Sequence, residues 1–136
     1  MKVSTNQGIK NSFTKYINAN GDKRKSNIFS DWYCGITNNV NIRNAQHKKK
    51  HGEITYWMAL KANSKNEANE IETYYNNKGT INSSNIGGAV KSSSFVYIFK
   101  MPKLKPLVWI YQNIFYILTK YSITEKPKFN ISENVF

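Results

Sequence analysis

The chain is 136 residues long, with 20 Lys and Arg against 8 Asp and Glu, a formal net charge of +12, and 40% hydrophobic and 14% aromatic residues. That is one domain's worth of chain with a small core, which excludes a multidomain enzyme. The lone cysteine, Cys34, has no intrachain disulfide partner, and one Cys with 2 His cannot close a structural zinc site. The charge surplus points to a polyanion, because Lys and Arg neutralise phosphate, with anionic lipid as the competitor. No apolar signal segment follows the early lysine, so the expected compartment is the cytoplasm of a bacterial host. Only Arg24 and Arg43 are arginine, while Asn, Lys and Ile abound, a codon bias that suggests an A/T-rich source such as a phage or mobile element.

In chain order, Ile9, Phe13, Tyr16 and Ile17 have the spacing of a short amphipathic helix within 1–20, started by Ser4 or Thr5. Residues 18–27 form a polar loop whose Lys23, Arg24 and Lys25 could touch phosphate; the plain alternative is a solvated turn. The aromatic and β-branched run 28–37 predicts a buried strand that leaves the core at Asn38 and Asn39, either of which can cap a helix over 40–50. On that helix Ile42, Ala45 and Gln46 have helical spacing. Arg43 and His47 share another face, where both could address one phosphate. Lys48, Lys49 and Lys50 suit the negative C-terminal end of the helix and add basic surface.

A second strand is predicted at 54–60, followed by a helix at 64–75 with Ser64 as N-cap and Glu67 completing a capping box. Ala68, Ile71, Glu72 and Tyr75 share one face, so Glu72 lies on or beside the buried stripe. A carboxylate there needs a partner or a metal ion, and the plain alternative is an edge glutamate paired with a lysine. Residues 76–90 read as a long loop whose Gly87 and Gly88 allow close backbone approach, and 95–100 as a third strand. After Pro102 and Pro106, residues 107–121 are apolar nearly all round but shorter than the roughly 20 that cross a bilayer. A core or dimer helix is expected there, no membrane partner is expected, and 124–136 reads as a loose tail.

One series of residues stands out: Tyr33-Cys34-Gly35-Ile36-Thr37, Arg43 ten positions after the tyrosine, His47 four further on, then a strand, then Glu72 on a capped helix. Over roughly residues 31–85 this series resembles the second half of the GIY-YIG nuclease motif, and its register from Tyr33 to His47 has no gap. The family's first tyrosine-bearing strand would stand about a dozen residues before Tyr33, where this chain has the polar loop around Gly21, Asp22 and Lys23. Residues 94–99 (SFVYIF) look like that strand displaced beyond the glutamate helix. The expectation is that 94–100 pairs antiparallel with 30–37 and sets Tyr97 beside Tyr33. For the family's late asparagine, Asn82 and Asn85 are both open.

The expected fold is a small α/β (α+β) domain over 1–101, a three-stranded, mainly antiparallel sheet flanked by helices. The N-terminal helix 1–20 is appended to it, and 102–136 forms a C-terminal helix and tail. The resemblance implies a metal-dependent endonuclease that hydrolyses DNA phosphodiester bonds. Glu72 would bind Mg²⁺ or Mn²⁺ with waters completing the shell, and Arg43 would hold the scissile phosphate. His47 would donate to phosphate or order water. Tyr33 and Tyr97 would position or deprotonate the nucleophile, their hydroxyls acidified by Arg43 and the metal. Lys23, Arg24, Lys25, Lys48, Lys49 and Lys50 would contact nucleic acid. Two other classes stay open: a catalytically inactive nucleic-acid binder, and a phage-encoded protein-interaction (counter-defence) protein that dimerises through 107–121.

Overall fold

The structure, a computed structural model, describes residues 5–82, 92, 94–103 and 114–118. The chain divides into two compact units, Met1–Pro102 and Lys103–Phe136. In the second unit residues 114–118 are helical and exposed. The rest of the helix expected at 107–121, the tail at 124–136, and Gly87, Gly88 and Asn85 lie outside the described residues. No helix among the described residues is long and apolar enough to cross a membrane.

The first unit is an α+β fold: helix α1 (Asn6–Asn20), a 3₁₀ turn (Ile28–Asp31), β1 (Trp32–Thr37), α2 (Val40–His51), β2 (Trp57–Lys61), α3 (Lys65–Asn77) and β3 (Phe95–Lys100). The three strands form one antiparallel sheet in the order β1-β3-β2, so the last strand in the chain lies in the middle. Tyr33 stands opposite Phe99 and Gly35 opposite Tyr97 across β1 and β3, while Trp57 and Ala59 face Phe99 and Tyr97 across β2 and β3. The free side of β1 is closed by a short parallel bridge, in which Ile81 N donates to Trp32 O (2.7 Å) and Cys34 N to Ile81 O (3.0 Å).

Strand alternation gives the sheet two different faces. Trp32, Cys34, Val96 and Ile98 point to one, where they join Ile9, Phe13 and Ile17 of α1 and Ala68, Ile71 and Tyr75 of α3 in the main core. Helix α1, expected as an appendage, therefore supplies three fully buried side chains to that core. Each such apolar side chain stabilises by about 1.5–3 kcal/mol on burial. The Tyr75 hydroxyl fastens the two helices, donating to Lys10 O at 2.7 Å and meeting Thr14 Oγ1 at 2.9 Å. The other face carries Tyr33, Tyr97 and Phe99, with Ile54 buried among them and Trp57 packed alongside.

Local chemistry sets the boundaries. The strand expected at 28–37 starts at Trp32, because the Asn27 side chain accepts from Phe29 N (3.0 Å) and Ser30 N bonds back to Asn27 O, which winds 28–31 into a 3₁₀ turn. Asn27 Nδ2 also donates to Lys78 O at 2.9 Å, docking this loop on the end of α3. Gly79 makes that approach possible: its φ is +100°, and a Cβ there would lie 2.5 Å from Asn27 Nδ2. The strand expected at 54–60 runs instead from Trp57 to Lys61. β3 ends at Lys100, two residues before Pro102, so no strand lies opposite Ile54, which is buried without pairing. The capping box of α3 forms with its second arm shifted by one residue. Ser64 Oγ accepts from Glu67 N (3.1 Å), and Glu67 Oε2 accepts from Asn63 N (2.8 Å).

Candidate functional site

The site is built on the aromatic face of the sheet and closed by α2. Strand β1 hands the chain to that helix through Thr37, whose hydroxyl accepts from Asn39 N and donates to Asn39 O, both at 3.1 Å. Asn39 then caps α2 by accepting from Ile42 N at 3.0 Å. The resulting orientation buries a different face of the helix from the one its apolar spacing suggested. Ile42 is 58% exposed, while the side chain turned into the sheet is His47, 8% exposed. The surface that receives it is an aromatic slot: the Tyr33 and Phe99 ring centroids lie 4.8 and 4.7 Å from that of the imidazole.

Within that slot His47 Nε2 lies 2.9 Å from Tyr97 Oη, a hydrogen bond whose donor follows the imidazole tautomer. Tyr97, 2% exposed, stacks on Trp57 (4.8 Å between centroids, 10° between planes) and lies nearly parallel to Tyr33 (6.1 Å, 12°). The strand pairing expected for 94–100, with Tyr97 beside Tyr33, is thus present. Its local requirement is Gly35, where a Cβ would stand 2.5 Å from Tyr97 Oη. The tyrosine ring lies across the space that any other residue would fill.

Arg43, one helical turn before His47, is half-buried. Among the described residues no hydrogen bond or ion pair engages its guanidinium, yet its charge reaches both Tyr97 and His47. Burial is the main force on both of those groups. It holds His47 down to about 4, assisted by His51, Arg43 and Lys50, so the imidazole is neutral at pH 7. Tyr97 is pushed far up by burial and then by Tyr33, with Arg43 opposing. Without a bound metal, desolvation outweighs the Arg43 cation, the direction opposite to an acidified phenol, and Tyr97 keeps its proton.

Glu72 is not part of this group. It stands half-buried on α3, the helix packed against the opposite sheet face, where its charge acts on the buried Cys34 thiol. Burial raises its pKa, and among the described residues no donor or cation pairs with it. An uncompensated carboxylate of this kind fits a divalent ion held by one protein oxygen and completed by waters. No group of three or more His, Cys, Asp or Glu is placed to hold a metal among the described residues.

The basic residues divide into two sets. Arg24 grips Asp22 through Nε and Nη2, both at 3.0 Å, and Lys25 pairs with Asp31. Lys48 pairs with Glu53 at 3.3 Å, whereas Lys23, Lys49 and Lys50 are exposed and meet no carboxylate among the described residues. Three side chains at the site went unread in the sequence: Trp57 and Phe99, which wall the aromatic slot, and Asn44, whose Oδ1 is buried beside Arg43 without a donor among the described residues. Aromatics at every second position, 95, 97 and 99, were the available signal for the wall. Comparison with protein-family models, curated proteins and solved structures finds no match to this chain.

Proposed function

We propose that the protein is a metal-dependent endonuclease acting on DNA, with the scissile phosphate held at Arg43. One observation carries this: a half-buried arginine without an anionic partner among the described residues shares a sheet face with Tyr33, Tyr97 and a neutral His47. A guanidinium in that setting is complementary to phosphate, whose oxygens its planar fork meets bidentately. The charge of +12 adds attraction for a polyanion.

At such a phosphate each group has a separate task. Arg43 stays charged and offsets the negative charge that grows on the non-bridging oxygens as water attacks. His47 is neutral at pH 7 and, held down to about 4 by burial, is too weak a base to take a proton from water; its 2.9 Å hydrogen bond holds Tyr97 in place. Tyr97 keeps its own proton and helps shape the sheet face beside Arg43. The attacking water passes its proton to solvent. The new P–O bond forms while the bond to the leaving oxygen breaks. Tyr33 lies nearly parallel beside Tyr97. Glu72 would hold Mg²⁺ or Mn²⁺ on the α3 side of the sheet, where the bound ion would add positive charge for the DNA backbone.

The place of Glu72 in the opposite layer favours a second reading, a nucleic-acid binder that does not cut. Gel-resolved cleavage of labelled single- and double-stranded DNA in Mg²⁺, Mn²⁺ or EDTA separates the two, with wild type run beside Glu72→Ala and Arg43→Ala. A nuclease cuts only with metal and stops cutting in Glu72→Ala. In Arg43→Ala it loses about 10²-fold or more in rate with a smaller loss of affinity. A DNA shift without cutting assigns the binder. Neither cutting nor shifting refutes the nucleic-acid partner and puts the protein-interaction class first.

A further inference from the structure

On the sheet's opposite layer, a groove of about 460 Å³ runs between α1 and α3. Helix α1 lines it with Lys10, Lys15 and three side-chain amides, Gln7, Asn11 and Asn18, and α3 contributes Tyr74. No acidic side chain lines it among the described residues. The α1 positions recur at intervals of three and four, so the groove follows the outward face of the helix for about 16 Å.

Tyr74 is its fixed point. The ring stands edge-on to Tyr75 (5.1 Å, 89°), whose hydroxyl is bound to Lys10 O and Thr14 Oγ1. Two cations hover over this anchored ring, Lys10 Nζ at 4.8 Å and Lys78 Nζ at 5.0 Å from its centroid. Cation–π pairs at an open surface are weak and give way readily when a phosphate draws the ammonium aside. What then remains is an aromatic ring with two cations near it, and side-chain amides that can meet base edges, Asn18 directly and Gln7 and Asn11 through the groups left over from their own 2.8 Å hydrogen bond. That combination matches a single strand, whose bases have free faces and whose backbone needs neutralising. A paired base keeps its faces stacked and would not enter between two helices. The outward face of α1 offers no apolar side chain to insert in a membrane.

We propose that this groove binds a short single-stranded segment of nucleic acid, with one base on Tyr74 and phosphates at Lys10, Lys15 and Lys78. The inference deepens the proposed function and rests on it for the class of partner alone. Its test is fluorescence anisotropy of a labelled oligothymidine of about 12 nucleotides with the full chain in EDTA, where nothing is cut. Tyr74→Ala should weaken binding about tenfold or more, and Tyr74→Trp should retain it. Because Tyr74 also touches the core, the Lys10→Ala/Lys15→Ala double variant, checked for folding by circular dichroism, gives the second measurement. Its plot of log affinity against log salt should be shallower by about 1.4, since each single-strand phosphate contact contributes about 0.7.

Wild-type affinity in both sets of folded variants overturns the groove even if the protein cuts DNA. So does an absence of oligonucleotide binding by the wild type. Tighter binding to phosphatidylserine vesicles than to the oligonucleotide, lost in the same variants, overturns it in favour of a membrane surface. Groove-dependent binding by a wild type that cuts no DNA supports the groove and refutes only the nuclease.

Discussion

Replacing Gly35 with alanine tests whether the site depends on the Tyr97 ring lying across β1. The new Cβ would stand 2.5 Å from Tyr97 Oη, 2.6 Å from Cζ and 3.1 Å from Tyr33 Cε1. Carbon atoms rest at about 3.5–4.0 Å, so the end of the Tyr97 ring must retreat by about 1 Å. It has nowhere easy to go, being 2% exposed, stacked on Trp57 and bonded to His47. Overpacking of this kind costs about 1–3 kcal/mol, and a broken Tyr97–His47 bond leaves a buried imidazole nitrogen unpaired at about 1–3 kcal/mol. A destabilisation of about 2–4 kcal/mol is expected, a large share of the 5–15 kcal/mol that holds a small domain together. Urea unfolding followed by circular dichroism measures it. Combining Gly35→Ala with Tyr97→Val should recover about 1 kcal/mol or more relative to additivity, because the ring that collides is gone. A loss below about 0.5 kcal/mol in the single variant would refute the steric reasoning.

Acidification should destabilise the protein through His47. Its folded value is about 4 against an ordinary 6.5, so between those pH values the unfolded chain holds the extra proton and stability rises with pH. The difference between wild type and His47→Gln should amount to about 3 kcal/mol across that window, and parallel profiles would contradict it. Glu72→Gln should raise the melting temperature in EDTA by removing a half-buried charge that has no partner among the described residues, and Mg²⁺ should then raise Tm for the wild type alone. A less stable variant would mean that the carboxylate has a partner. On duplex DNA, Lys49→Ala and Lys50→Ala should each lower the salt slope by about 0.9, while Arg24→Ala and Lys25→Ala should lower it less, because Asp22 and Asp31 already neutralise those two. Equal slopes would show that these intramolecular pairs open on binding.

Features written in local chemistry were legible in the sequence. The bounds of β3, the Ser64 cap and the α1 stripe of Ile9, Phe13 and Ile17 follow from alternation, hydroxyl capping and helical spacing. The pairing of Tyr97 with Tyr33 was legible too, because residues 94–99 (SFVYIF) look like the tyrosine-bearing strand that is absent before Tyr33. Properties that arise on assembly were not. Whether α2 buries Ile42 or His47 depends on the rings that face it, and those come from two distant strands. The direction of the Tyr97 shift depends on how completely burial defeats Arg43, a competition that spacing along a chain does not record. The half-buried place of Glu72 was legible from Ala68, Ile71 and Tyr75, which share its helix face, but the sheet face that receives α3 was not.

The order of the strands bears on how such a site is assembled from distant parts of the chain. Antiparallel pairing fixes which residues stand opposite, and it is indifferent to the path by which a strand arrives. β3 lies between β1 and β2, which have no contact ladder with each other, so neither can close the sheet without it. Its register puts Tyr97 against the one position of β1 that lacks a side chain, and Phe99 against Tyr33. A one-residue slip would turn Tyr97 and Phe99 into the α1–α3 core and Val96 and Ile98 toward His47, exchanging every partner at once. Gly35 guards against that slip, because only the observed register gives the Tyr97 ring a space in β1 to lie across. The same glycine therefore specifies the fold and assembles the candidate site: the strand added last in sequence completes the sheet and brings Tyr97 against His47 in one step.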